Sequence, residues 1–90
     1  MHRLKLYIAG STLKSENIIK NLKQLLEEEF NDQYSLEIID LIESPELAEQ
    51  DKILATPTLL KIEPLPAKRI IGDFSNKKMV LFGLDLVNNK

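Results

Sequence analysis

Ninety residues make one domain, near the lower end for independent folding. Hydrophobic content of 43% with 29% charged residues is ordinary globular composition, and a net charge of −2 gives no strong field for nucleic acid or an anionic membrane. The absence of cysteine removes disulfides, thiolate catalysis and cysteine-ligated metals, and it fits a cytoplasmic protein.

The first segment, Leu4-Lys5-Leu6-Tyr7-Ile8-Ala9, alternates, with Leu4, Leu6 and Ile8 on one face, and reads as a strand. Nothing before it reads as a signal peptide or membrane span. Gly10-Ser11-Thr12 breaks the strand, and Ser15 is placed to cap a helix. Ile18, Ile19, Leu22, Leu25 and Leu26 then form one apolar stripe at helical spacing, with Lys14, Lys20, Lys23 and the acidic run at residues 27–29 on the other face. That run is expected to be solvated, since a helix C-terminus favours cations.

Tyr34 to Ile42 is expected as the second strand, and its apolar residues on both faces predict a central strand covered on both sides. A helix between two strands is the crossover of a parallel βαβ unit. Ser44-Pro45-Glu46 starts a second helix that is expected to run to Ile53 or Leu54. Pro57 then ends helical geometry, since proline fixes φ and disfavours the helical region for Thr56 before it. An X-Pro bond leading into a strand is also where a cis peptide costs least.

Thr58-Leu59-Leu60-Lys61-Ile62 is the third strand and Ala67-Lys68-Arg69-Ile70-Ile71 the fourth, closed by Gly72-Asp73. The intervening turn holds Pro64 and Pro66, and the two strands are close enough to form a hairpin. Ser75 can cap a last helix from Asn76 to about Asn88. The order is βαβαββα, a single α/β domain of thioredoxin type. The last segment fits two periods: Val80, Leu84 and Val87 have helical spacing, while Val80, Phe82, Leu84 and Leu86 have strand spacing. Gly83 in it is a packing glycine or a hinge. Asp85 is an outer-face residue or a penalty on the competing strand.

Catalytic chemistry is looked for and not found. A thioredoxin-type oxidoreductase needs a cysteine where the first strand meets the first helix, and Gly10-Ser11-Thr12-Leu13 stands there. The single histidine, His2, is terminal, and the three glycines are isolated at positions 10, 72 and 83, so no phosphate loop exists. Asp40 and Asp51 have no companion nucleophile or metal cluster and read as caps or ion pairs. No catalytic residue, cofactor or metal is expected.

Leu4-Lys5-Leu6-Tyr7-Ile8-Ala9-Gly10, Ile39-Asp40-Leu41, the long block Ser44 to Leu59, Ile70-Ile71-Gly72-Asp73 and Gly83-Leu84-Asp85-Leu86 closely resemble the KaiB family over nearly the whole chain. The resemblance implies a metamorphic, non-enzymatic regulator. One state is the thioredoxin-like monomer βαβαββα; the other is a βαββααβ tetramer, so residues 1–55 form a constant half and 56–90 a switching half. The monomeric form is expected to dock on the N-terminal ATPase ring of a KaiC hexamer and, where the host has it, to capture KaiA. Lys5 and Lys52 match basic residues of the KaiC-facing surface. Pro57, Pro64, Pro66, Gly83 and Asp85 match positions of the rearranging region. Two further positions that are basic in clock members hold Asn17 and Glu37 here, a departure that bears on KaiA handling and rhythm rather than on fold. The alternative reading is the thioredoxin-like sensor module of a KaiC-interacting histidine kinase, or a redox-inactive interaction scaffold. Between the two folds, local propensity favours the thioredoxin-like form.

Overall fold

The fold was obtained as a computed structural model, which describes residues 1–72 and 74–85. Alternation drives the first strand, β1 (His2–Ile8), and the apolar stripe drives the long helix α1 (Leu13–Phe30). They are followed by β2 (Tyr34–Asp40), the short helix α2 (Glu46–Gln50), the hairpin of β3 (Thr58–Glu63) and β4 (Lys68–Ile71), and α3 (Lys77–Gly83). This is the expected βαβαββα order.

The four strands form one sheet in the order β2-β1-β3-β4. β1 and β2 are parallel, while β3 runs antiparallel to both β1 and β4. β2 is therefore an edge strand, not the central one that its two apolar faces suggested. β3 returns on the far side of β1, and the period of β2 carries no information about where β3 goes. Its two faces meet different layers: Leu36 and Ile38 pack towards the main core and Ile39 towards a second, smaller one.

The main core lies between the sheet and α1 and α3. It joins Leu4, Leu6 and Ile8 of β1 to Ile18, Leu22, Leu25 and Leu26 of α1, with Leu59, Phe74, Val80 and Leu84. The second core lies on the opposite face, where Tyr7, Ile39 and Ile53 pack with Leu41, Leu47 and Leu60.

Several boundaries differ from expectation, each for a local reason. Thr12, not Ser15, caps α1. Ser15 is the third helical residue, and its hydroxyl accepts from the Thr12 N–H at 2.8 Å while Thr12 Oγ1 accepts from the Ser15 N–H at 3.1 Å, a reciprocal capping box. β2 ends at Asp40 rather than Ile42 because the Asp40 carboxylate accepts from the backbone N–H groups of Gly10 and Ile42, both at 2.9 Å, and turns the chain. Pro45 stands at the cap position of α2, with no side-chain cap bond from Ser44. α2 stops at Gln50 rather than Ile53 or Leu54. Its last carbonyls are closed by Lys52 N–H to Glu49 O and Ile53 N–H to Ala48 O, with Lys52 in the left-handed region at φ 57°. That is a Schellman ending with lysine where glycine is usual. α3 is capped by Asn76, whose side chain accepts from Met79 N–H at 3.1 Å, rather than by Ser75. It ends at Gly83, followed by Leu84 and by Asp85 at φ 58°. The expected continuation to Asn88, with Leu86 and Val87, and the residue Asp73 lie outside the described residues.

Candidate functional site

The two faces of the sheet are covered unequally. α1 and α3 close one face along its length, whereas the five-residue α2 covers only part of the other. On the open part, the strand register places Glu37, Lys5, Leu60 and Arg69 side by side across all four strands. Lys5 and Leu60 are half-buried; Glu37 and Arg69 are exposed. Lys5 thus has an acid of opposite sign as its direct neighbour on one side and an apolar side chain on the other.

Arg69 connects this row to α2. Its Nη1 donates to the carbonyl of Lys52 at 2.8 Å and its Nη2 to that of Asp51 at 3.3 Å. A guanidinium is well suited to the partial negative charge at a helix C-terminus. The exposed Lys52 is thereby held next to the row that contains Lys5. The sequence named Lys5 and Lys52, and the fold brings them to the same side of the molecule. It missed Arg69, although alternation in β4, with Ile70 in the main core, puts Arg69 on this face.

Beneath the surface lies a buried polar contact. The hydroxyl of Tyr7, a residue with no exposed surface, donates to Asp51 Oδ2 at 2.6 Å. Burial, then this hydrogen bond, then the negative charges of Asp51 and Glu37 push the Tyr7 phenol well above its ordinary value of 10.0, with Arg69 acting in the opposite sense. Tyr7 pins the end of α2 from below and Arg69 pins it from the side.

The residues expected to govern rearrangement are not one cluster. Pro57 is half-buried at the start of β3, and its carbonyl accepts from Gly72 N–H at 3.3 Å. Pro64 and Pro66 are exposed in the β3–β4 turn at the other end of the hairpin. All three X-Pro bonds are cis. Gly83 lies against β4: a Cβ there would meet Ile70 Cγ2 at 2.6 Å. Asp85 is exposed just beyond the end of α3. Together these positions mark the ends and the packing seam of one hairpin-helix unit.

Beside Pro57 a small cleft of about 140 Å³ is lined by Ile8, Ala9, Thr12, Ser15, Ile18 and Thr56 among others. It lies where the first strand meets the first helix, the place in which a thiol enzyme of this shape would hold its cysteines, and hydroxyls and aliphatic groups occupy it instead.

The KaiB domain family model matches residues 5–86. The chain belongs to the KaiB family. It is 57% identical over 84 residues to the circadian clock oscillator protein KaiB of Synechococcus elongatus, which covers 93% of this chain and 82% of the relative. The KaiB of Microcystis aeruginosa is 56% identical over the same length, 93% of this chain and 81% of the relative. Among solved structures, the N-terminal domain of Synechococcus elongatus SasA matches with a TM-score of 0.73 at 25% identity, over 87% of this chain and 74% of that one. Mitochondrial thioredoxin 3 of Saccharomyces cerevisiae matches with a TM-score of 0.72 at 18% identity, over 96% and 78%, a likeness of fold alone. The KaiB family chain is therefore seen here in a thioredoxin-like arrangement. Among the described residues, no helix is long and apolar enough to cross a membrane.

Proposed function

We propose that this chain is a non-enzymatic regulatory protein of the cytoplasm. It docks on the N-terminal ATPase ring of a KaiC-type hexamer and modulates that ring's phosphorylation and ATPase cycle, in biological timing or stress adaptation. The observation that carries the reading is the half-open sheet face, on which Lys5, Lys52 and Arg69 surround the half-buried Leu60. Three cations grouped around one apolar side chain suit an acidic protein surface, because complementary charge sets register and speeds encounter. The sensor-module alternative shares the fold. The family match over residues 5–86 and the 57% identity to clock oscillator proteins favour the first reading.

The same reading includes a second arrangement, βαββααβ, in which residues 1–55 keep their structure and 56–90 re-form as a tetramer or dimer. It is supported by the distribution of Pro57, Pro64, Pro66, Gly83 and Asp85 along one hairpin-helix unit. Capture of KaiA, where the host has it, would follow docking on the ring.

The test is retention of the protein on immobilised cognate KaiC hexamer with and without ATP. Retention is expected, with Lys5→Gln and Lys52→Gly each weakening binding by about tenfold, on the order of losing a well-placed interfacial charge. No retention by any cognate KaiC-type ATPase would sink the proposal.

A further inference from the structure

The turn that leads α1 into β2 has a backbone conformation that its residues do not favour. The N–H of Gln33 donates to the carbonyl of Phe30 at 2.8 Å, which closes a β-turn with Asn31 and Asp32 at its centre. Asn31 has φ 54° and ψ −120°. Those angles belong to the first central position of a type II′ turn, a place that glycine favours because a Cβ is crowded there. The turn is fixed on both sides. The Asn31 N–H donates to the Glu27 carbonyl at 2.9 Å in the last turn of α1, and the His2 N–H donates to the Gln33 carbonyl at 3.1 Å where β1 meets the start of β2.

The value of ψ has a chemical consequence. An L-residue sets Cβ a third of a turn from its backbone nitrogen about the Cα–C bond. At ψ −120° the Cα–Cβ bond of Asn31 therefore eclipses the bond from its carbonyl carbon to the Asp32 nitrogen. Coplanar and on one side, these atoms form three sides of a five-membered ring, and the Asn31 amide carbon Cγ is the one atom that closes it. Asn31 and Asp32 are exposed, so rotation about the Asn31 Cα–Cβ bond is free to bring Cγ onto the nitrogen. Among the described residues no group accepts a hydrogen bond from the Asp32 N–H, so nothing in the fold withholds its proton. Other asparagines differ. Asn17 and Asn21 lie inside α1, where helical ψ turns Cβ away from the next nitrogen, and Asn76 at ψ 104° has the two pointing apart.

We infer that Asn31 is a site of spontaneous covalent modification, which cyclises with the Asp32 nitrogen to a succinimide and opens to isoaspartate or aspartate. The Asp32 nitrogen attacks Cγ of Asn31. The N–Cγ bond forms, the Cγ–Nδ2 bond breaks, and the leaving amide takes the Asp32 N–H proton and departs as ammonia. Water then adds to either ring carbonyl. Opening at the main-chain carbonyl carbon leaves isoaspartate, with the chain running through the former side chain; opening at Cγ leaves aspartate. Both products add a carboxylate close to the acidic run at residues 27–29, and isoaspartate also inserts a methylene into the main chain at the entry to β2. The reaction consumes only water and involves no partner, so the inference goes beyond the docking reading and stands or falls without it.

The natural chain tests this without any substitution. It is incubated at neutral pH, folded in buffer and unfolded in guanidinium chloride, and each asparagine is followed by peptide mapping with mass spectrometry and isoaspartate detection. Asn31 is expected to convert about tenfold faster in the folded chain than in the unfolded one, the size of the backbone ordering that the fold supplies in advance. In the folded chain it is expected to outpace Asn17, Asn21 and Asn76, to give isoaspartate among its products, and to leave a succinimide at which hydroxylamine cuts the chain after residue 31. Conversion that is equal or slower in the folded chain, faster conversion at Asn17, Asn21 or Asn76, or aspartate formed without isoaspartate would each overturn the inference.

Discussion

At the scale of single residues, Lys52 and Tyr7 show how backbone and side-chain chemistry separate stability from docking. Lys52 closes α2 in the left-handed region, where a residue with a Cβ is penalised by roughly 1–2 kcal/mol. Glycine takes that conformation freely, so Lys52→Gly is expected to raise stability by about 1 kcal/mol in urea denaturation while removing a docking cation. A variant that is more stable and yet binds less assigns the lysine side chain to the interface; equal binding would remove Lys52 from it. For Tyr7 the sign follows from linkage. Its phenol loses its proton at a higher pH in the folded chain than in the unfolded one. Its contribution is therefore complete below the ordinary tyrosine value near 10 and declines as pH rises beyond it. Tyr7→Phe is expected to cost about 1 kcal/mol at neutral pH, by leaving Asp51 without its buried donor, and to flatten the loss of stability above about pH 10. Denaturation midpoints from pH 8 to 11 check both. Tyr34, shifted in the same direction by partial burial and its bond to Glu27, is less buried and leaves a residual slope.

At the scale of elements, α3 is where two local terms oppose each other. Alanine in place of helical glycine gains about 1 kcal/mol of propensity in a helix interior, and less at the last turn. At Gly83 the new Cβ would stand 2.6 Å from Ile70 Cγ2, which branches directly from the Ile70 Cβ and yields little. Overpacking of this kind costs about 1–3 kcal/mol, so Gly83→Ala is expected to lower stability by about 1 kcal/mol. In an Ile70→Ala background the obstruction is gone and the same substitution should be stabilising. A double-mutant cycle by urea denaturation reads the reversal of sign, and a destabilisation that persists without the Ile70 side chain would refute the packing account. Element type was largely legible in the chain because periodicity and breakers are local: Leu4, Leu6 and Ile8, the α1 stripe, and Pro57. Caps were misplaced by one to three residues because two adjacent hydroxyls or amides compete for the same donors. Ser15 loses to Thr12 through a reciprocal bond, and Ser75 to Asn76, whose longer side chain reaches Met79 N–H.

At the scale of the molecule, what the sequence left unread is long-range. No pattern within β2 reveals that it is an edge strand, since that depends on where β3 pairs. Lys5 and Lys52 were named through family resemblance, and only the register shows that Arg69 joins them. Arg69 is also the tie between the two halves of the chain, reaching from β4 to the final carbonyls of α2, alongside strand pairing and core packing. Its bonds are exposed, so each contributes less than a buried charged hydrogen bond would. Arg69→Gln keeps a donor but removes the charge facing the α2 C-terminus. It is expected to lower stability by about 0.5–1 kcal/mol at low ionic strength. The difference should shrink in 1 M salt, where the screening length falls to about 3 Å. Denaturation of the natural chain and of Arg69→Gln at low and high salt measures this. A loss of the same size at both salt concentrations would mean that the guanidinium acts at the α2 C-terminus through its hydrogen bonds and not through its charge.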